Sequence, residues 1–398
     1  VERSRGLGDV YKRQPLVQMG PNDWLLELYH GPTLAFKDLA MQILARLMDH
    51  VLTERGERLM IAGATSGDTG GAALEAFKTC DGIETFFMFP DGKVSDFQRR
   101  QMTTVGADNC HALAIDGSFD DCQTMLKDMF ANQAFASRVK LSAVNSINWA
   151  RVMAQVVYYF TAATALGAPE QKVSFTVPTG NFGDIYAGYV AKQMGLPIDR
   201  LVIATNENDI LARTLATGNH KLGSFKATIT PSMDIQISSN FERLLFEAAG
   251  RDSTMVRDLM AALKHDHNYS LPDEMLKFIR DSFDAGAVSE VETVEEVARI
   301  FRDTGYIADP HTAIAVKVAH DYADPEVPMV TLSTAHPAKF PDTVHDATGK
   351  TAHPPVWGDI PGERSESVAY LANDRACVEE YMLKHSRLGL EAYQSRTA

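Results

Sequence analysis

Cysteine and tryptophan are scarce in this chain of 398 residues: four of the first and three of the second. Cys80, Cys110, Cys122 and Cys377 are scattered, and none forms a Cys-x-x-Cys pair. A reduced, cytoplasmic protein is expected, its cysteines acting as small buried hydrophobes, with no metal site. Positive charge is also in deficit. Lys and Arg number 38 against 52 Asp and Glu, a formal net charge of −14. Such a chain has no general attraction to nucleic acid or to an anionic membrane surface. An anionic substrate must be held by local donors against the overall field. Long apolar runs are nearly absent. The one stretch that approaches a membrane span, Val152–Ala168, is interrupted by Gln155 and two threonines and preceded by Arg151. It is expected to be a buried helix. The start, "VERSRGLGDVYKRQ", has neither an initiator Met nor an apolar leader core. Val1–Gln14 is therefore read as a foreign or unreliable tail and kept out of the fold argument. No internal repeat and no low-complexity linker is visible.

What is present is an ordinary globular composition, 45% hydrophobic and 23% charged. The length suggests two or three domains. Short apolar strands alternate with helices: "RLMIAGAT", "ETFFMFP", "CHALAID", "KVSFTVP", "RLVIATN" and "PMVTLST" are strands, with helical stretches between them. That alternation predicts βαβ units and mostly parallel sheets. From Leu34, the residues Phe36, Leu39, Ile43, Leu47 and Val51 recur at steps of three and four. They predict a helix with one buried stripe, preceded by the Gly31-Pro32 break and capped by Thr33. Lys37 then sits in its first turn, an odd place for an ammonium.

Three turns rich in glycine and hydroxyls follow strands: "GATSGDTGG" (Gly63 to Gly71), "PTGNFGDIYAG" (Pro178 to Gly188) and "LSTAHPAKF" (Leu332 to Phe340). The first two open helices, where main-chain N–H groups favour an anion. The first is neither a Walker A loop nor a G-x-G-x-x-G turn. A parallel sheet gathers such turns at the carboxyl ends of its strands. A lysine beside phosphate cradles suggests an amine nucleophile next to a phosphorylated cofactor, and pyridoxal phosphate needs that set. In "NSINWAR", Asn148 and Arg151 are three apart and share a helix face, and Arg presents a fork that matches phosphate. Lys339 is a second cationic candidate.

Taken in order, "HGPTLAFKD", "TSGDTGGA", "NSINWAR", "PTGNFGDIYAGY", "IATNEND", "SSNFERLL" and "TAHPAKF" resemble the threonine synthase family of fungi and many bacteria, from about Leu25 to Val344. The resemblance implies the tryptophan-synthase-β-like α/β architecture called fold type II. That means two domains of mostly parallel sheets flanked by helices, with the active site in the cleft between them. It implies that Lys37 carries pyridoxal 5'-phosphate covalently and serves as the catalytic base. It also implies that Gly180, Asn181, Phe182, Gly183 and Asp184 hold the cofactor phosphate, and that Thr334 bonds the ring nitrogen. The Thr65–Gly70 loop, with Thr65, Ser66, Asp68 and Thr69, would hold the substrate carboxylate. Asn148, Arg151 and Lys339 would face the substrate phosphate. The implied reaction turns O-phospho-L-homoserine and water into L-threonine and phosphate, in a monomer or homodimer. The alternatives are a catalytically silent, truncated relative, or a cysteine synthase or serine/threonine dehydratase of the same fold. The last two are disfavoured by Asp68, by "GNFGD" and by "TAHPAKF". The family has a further segment ahead of the lysine motif, so the chain is expected to be truncated at its start. The expected division is a tail at 1–14, an N-terminal remnant with the lysine helix at 15–55 and a smaller α/β domain at 56–165. A larger cofactor-binding domain follows at 166–345, with a polar insertion near 211–300, and then an unassigned tail at 346–398.

Overall fold

The structure is a computed structural model and describes residues 14–355 and 364–388. Val1–Arg13, nearly all of the suspect tail, lies outside the described residues. The chain divides into two units, each made of separate stretches. One comprises the described residues of Val1–Phe36 and Arg151–Pro354, the other those of Lys37–Ala150 and Pro355–Ala398. The chain thus changes unit just before Lys37, where its helix begins, and again inside the Trp149–Ala165 helix.

The larger unit is built on a six-stranded sheet. Its order is Leu16–Gly20, Asp23–Glu27, Met329–Ser333, Val173–Pro178, Ile198–Thr205 and Phe283–Ala287. The first two strands form an antiparallel hairpin and the remaining pairings are parallel. Leu26 lies opposite Leu332 and Trp24 opposite Val330, so the stretch just after the suspect tail belongs to this sheet. The polar stretch 211–300 supplies the far edge, where Ala285 pairs with Ile203. That strand, "FDAGA", has no apolar run to announce it. Valine, isoleucine and leucine fill the parallel strands because both faces are covered. Val202, Ile314, Val318 and Met329 form one buried group, and Leu25, Val297, Ile300 and Val316 another.

The smaller unit holds a parallel five-stranded sheet in the order Ala369–Ala372, Cys110–Asp116, Ile83–Pro90, Leu59–Ala64, Leu141–Ser142. Met41, Leu44, Phe77, Phe87 and Phe89 pack together in one buried group. Met60, Phe86, Met88, Leu113, Val378 and Met382 pack in another. The tail the sequence left unassigned supplies Ala369–Ala372, an edge strand, and the Arg375–His385 helix.

Two local expectations are corrected. The Lys37–Arg55 helix does not bury the stripe read from the sequence. Ile43, Leu47 and Val51 are exposed, and the buried face is Ala40, Met41, Leu44, Ala45 and Leu52. Thr33 does not cap this helix, which begins four residues later. The apolar stretch after Arg151 forms the Trp149–Ala165 helix, with Tyr158 and Tyr159 fully buried. Among the described residues, no helix is long and apolar enough to cross a membrane.

Candidate active site

In the smaller unit, Lys37 is the first residue of its helix and keeps only 12% of its side-chain exposure. Its Nζ lies 3.4 Å from Asp68 Oδ2. Asp68 opens the Asp68–Phe77 helix and is buried. Its other oxygen, Oδ1, accepts from Gln98 Nε2 at 2.9 Å. The side chain of Asp68 is therefore turned toward Lys37 and Gln98. The turn that carries it is braced by Thr65, whose Oγ1 accepts from the amides of Gly67 and Gly70 at 3.0 and 2.9 Å. Ser66 and Thr69 are half-buried on the same turn. Asn148 accepts from the amide of Ala150 at 3.0 Å and so caps the following helix.

In the larger unit, the turn after Val173–Pro178 is held from behind. Ser238 Oγ donates to the carbonyl of Gly180 at 2.8 Å. Asn240 donates to the carbonyl of Asn181 from both its amide, at 3.1 Å, and its side chain, at 2.9 Å. Phe182 adopts a left-handed backbone, φ +63°, which is uncommon outside glycine. Its ring is buried against Phe241 and Phe283, and this burial fixes the turn. Gly180 must be glycine, because a Cβ there would stand 2.4 Å from the carbonyl oxygen of Ser232. With the carbonyls tied behind, the first-turn amides of the Gly183–Gln193 helix, which lack intrahelical acceptors, are left for an anion. This donor set fits a phosphate group.

Asp184 is set differently. Tyr158 and Tyr159 both donate to its Oδ1, the second at 3.0 Å, while Oδ2 has no partner among the described residues. Burial pushes its carboxyl up to about 6, against the lowering effect of the two tyrosine hydroxyls. It braces the turn from the inner side and offers a phosphate no donor when ionised. Arg151, on the same helix as the two tyrosines, is buried, and burial brings its guanidinium down to about 10.

The third turn is also well tied. The amide of Phe36 donates to the carbonyl of Thr334 at 2.8 Å, and that of His336 to Leu34 at 3.0 Å. Thr334 is buried. Ser333 Oγ lies 3.0 Å from Thr312 Oγ1 and is committed inside the protein. Lys339 is 1% exposed and its Nζ donates to the carbonyl of Thr33 at 2.8 Å. That contact ties the third turn to the segment entering the lysine helix.

Sequence reasoning missed Gln98, Ser238 and Asn240 as parts of these turns. The Ser-x-x-Gln spacing of "SDFQ" is a helix-start signal, and "SSNF" was visible as a motif without a role.

Parallel α/β sheets flanked by helices, with a half-buried lysine at a helix start and a turn whose amides suit an anion, define a class: the pyridoxal-phosphate dependent enzymes of fold type II. The Pyridoxal-phosphate dependent enzyme family matches residues 12–263, and the family described as Threonine synthase, C-terminal, matches residues 312–382. The chain belongs to the threonine synthase family. It is 51% identical over 378 residues to threonine synthase of Pseudomonas aeruginosa, covering 94% of this chain and 80% of that one. The crystal structure of pyridoxal-phosphate-bound threonine synthase from Brucella melitensis is 56% identical, with a TM-score of 0.92 over 95% of this chain and 83% of that one. The yeast threonine synthase structure is 36% identical, with a TM-score of 0.86 over 94% and 81%. These likenesses favour threonine synthase over cysteine synthase or a dehydratase. The enzyme is a lyase that uses pyridoxal 5'-phosphate.

Proposed function

We propose that the chain converts O-phospho-L-homoserine and water to L-threonine and phosphate. The observation that carries this reading is a half-buried lysine at a helix start, its Nζ 3.4 Å from a buried carboxylate. Pyridoxal phosphate, when bound, supplies an aldehyde for covalent attachment and a ring that takes up negative charge from the substrate. Lys37, as free amine, removes the α proton, serves the later transfers at Cβ and Cγ, and returns a proton at Cα. One positioned base of this kind contributes roughly 10²–10⁴-fold. Main-chain N–H groups of Gly180, Asn181, Phe182 and Gly183 hold the cofactor phosphate, with Asp184 as a brace. The Thr334 hydroxyl donates to the ring nitrogen. The engagement of Ser333 with Thr312 supports Thr334 over its neighbour for this task. The Thr65–Gly70 turn takes the substrate carboxylate on its N–H groups and on Ser66 and Thr69. Arg151 takes the substrate phosphate, on the strength of its bidentate geometry. Asn148, which caps its helix, and Lys339, which bonds the Thr33 carbonyl, are the further candidates for that phosphate.

The test is borohydride reduction of the cofactor-loaded protein with peptide mapping, beside an assay of phosphate and threonine from O-phospho-L-homoserine. The label should fall on Lys37, with phosphate and threonine released in equal amounts. A label on another lysine, or absence of threonine, overturns the reading.

A further inference from the structure

Opposing forces act on Lys37. Its place at a helix N-terminus disfavours a cation. Its partial burial does the same. The Asp68 carboxylate at 3.4 Å pulls the other way. A carboxylate as buried as Asp68, 4% exposed, needs donors of its own to stay ionised. Gln98 supplies one, at 2.9 Å.

Gln98 is itself fixed along its length. It is 4% exposed. Its side chain lies flat against Gly67, φ +131°, where a Cβ would come within 2.5 Å of the Gln98 amide carbon. Its own amide donates to Ser95 Oγ at 3.2 Å, in the cap of the Asp96–Thr103 helix. An ionised carboxylate only accepts, so the Gln98 nitrogen faces Asp68. Its oxygen then accepts from Ser95 Oγ, also at 3.2 Å. Donation thus runs from Ser95 to Gln98 to Asp68, and Lys37 donates to the other oxygen of Asp68, so the carboxylate accepts from both sides.

We propose that Gln98 is a positioning residue for Lys37 that acts through Asp68: its amide keeps Asp68 ionised and aimed, and thereby sets the fraction of Lys37 present as free amine. The importance of that fraction rests on the function proposed above, in which the free amine does the work. Without the amide donor, Asp68 holds its charge less well. Lys37 then loses the charge of Asp68 and sheds its proton more readily.

The test uses the full chain without cofactor. Lys37 is acylated with trace acetic anhydride over a pH series, and modification is read by peptide mass spectrometry. Wild type, Gln98→Met, Asp68→Asn and the double variant are compared. Gln98→Met and Asp68→Asn should each move the Lys37 profile down by about one pH unit, about tenfold more free amine at a given pH. The double variant should move it no further than Asp68→Asn alone, because the effect passes through Asp68. Gln98→Asn, one methylene short of contact, should move it in the same direction and serves if the methionine variant folds poorly. An unmoved profile in the Gln98 variants, an unmoved profile in Asp68→Asn, or shifts that add in the double variant would overturn the proposal. The outcome is separable from the function test. A profile that moves as expected while borohydride labels another lysine removes the function and leaves the Lys37–Asp68–Gln98 relation standing.

Discussion

At the scale of the residue, Asp184 shows how a single buried group can be read against its neighbours. Two tyrosine hydroxyls share one of its oxygens, and the other oxygen has no donor among the described residues. Burial raises its carboxyl to about 6, above the ordinary value near 3.9 of an unfolded chain. The folded state thus binds this proton more tightly than the unfolded one. Its contribution to stability is complete below about pH 4 and is lost as pH rises through about 6. Asp184→Asn keeps an acceptor for the tyrosines and removes the ionisation. Relative to wild type, the variant should gain up to about 3 kcal/mol between pH 4 and 7, read from denaturant midpoints at the two pH values. A difference that does not change with pH would mean that Asp184 titrates normally. Lys37 and the Gly180–Gly183 turn were legible in the sequence, because a lysine in a helix start and glycines after a strand are local signals. Gln98 and Asn240 were not, because their partners are 30 and 59 residues away and no periodicity encodes them.

At the scale of the element, the Lys37–Arg55 helix explains why periodicity misled. Ile43, Leu47 and Val51 are spaced like a buried stripe, but so are Met41, Leu44, Met48 and Leu52. Two apolar faces satisfy the same rule, and tertiary packing chose the second. Strands with a clear apolar run, such as Ile83–Pro90 and Val173–Pro178, were read correctly, whereas the short interior strand Asp23–Glu27 was not. The strands Leu16–Gly20, Phe283–Ala287 and Ala369–Ala372 were missed because edge strands lack a continuous apolar run. The last of these is firmly attached. Ala369 pairs with Leu113, the amide of Ser367 donates to the carbonyl of Thr103 at 2.6 Å, and Arg387 reaches Glu84 at 2.5 Å. Glu366 accepts from Thr103 and Arg99, and Asn132 donates to Glu379 at 3.1 Å. Val378 and Met382 are fully buried. Ending the chain after residue 355 removes about 3–6 kcal/mol of burial through those two side chains alone. Hydrogen exchange should then show Cys110–Asp116 losing protection while Val173–Pro178 keeps it. Equal protection in both strands would mean that the segment is an ornament.

At the scale of the whole molecule, the charge of −14 acts on every anion that approaches. The donors of the turns are local and short in range, whereas the field of the chain reaches over a Debye length, about 10 Å at 0.1 M salt. Pyridoxal phosphate and other small anions therefore approach against repulsion. Their association rates, followed by stopped-flow absorbance, should rise severalfold as salt is raised from about 0.01 M to 0.1 M. A rate that falls with salt would point to a locally positive entrance that outweighs the net charge. Composition made this property legible at once. The discontinuous division of the chain was not legible, since it depends on which distant strands pair.

That division sets an order of events during synthesis. Residues 37–150 leave the ribosome early, yet the strand that covers Cys110–Asp116 arrives only after residue 364. At about 5–20 residues per second, the roughly 200 intervening residues take about 10–40 s to make. For that interval the nascent sheet carries an unpaired row of N–H and C=O groups, the kind of edge that recruits foreign strands. A slow translation rate therefore lengthens the exposure of the nascent sheet, and a chaperone that shields strand edges gives the greatest benefit in that window.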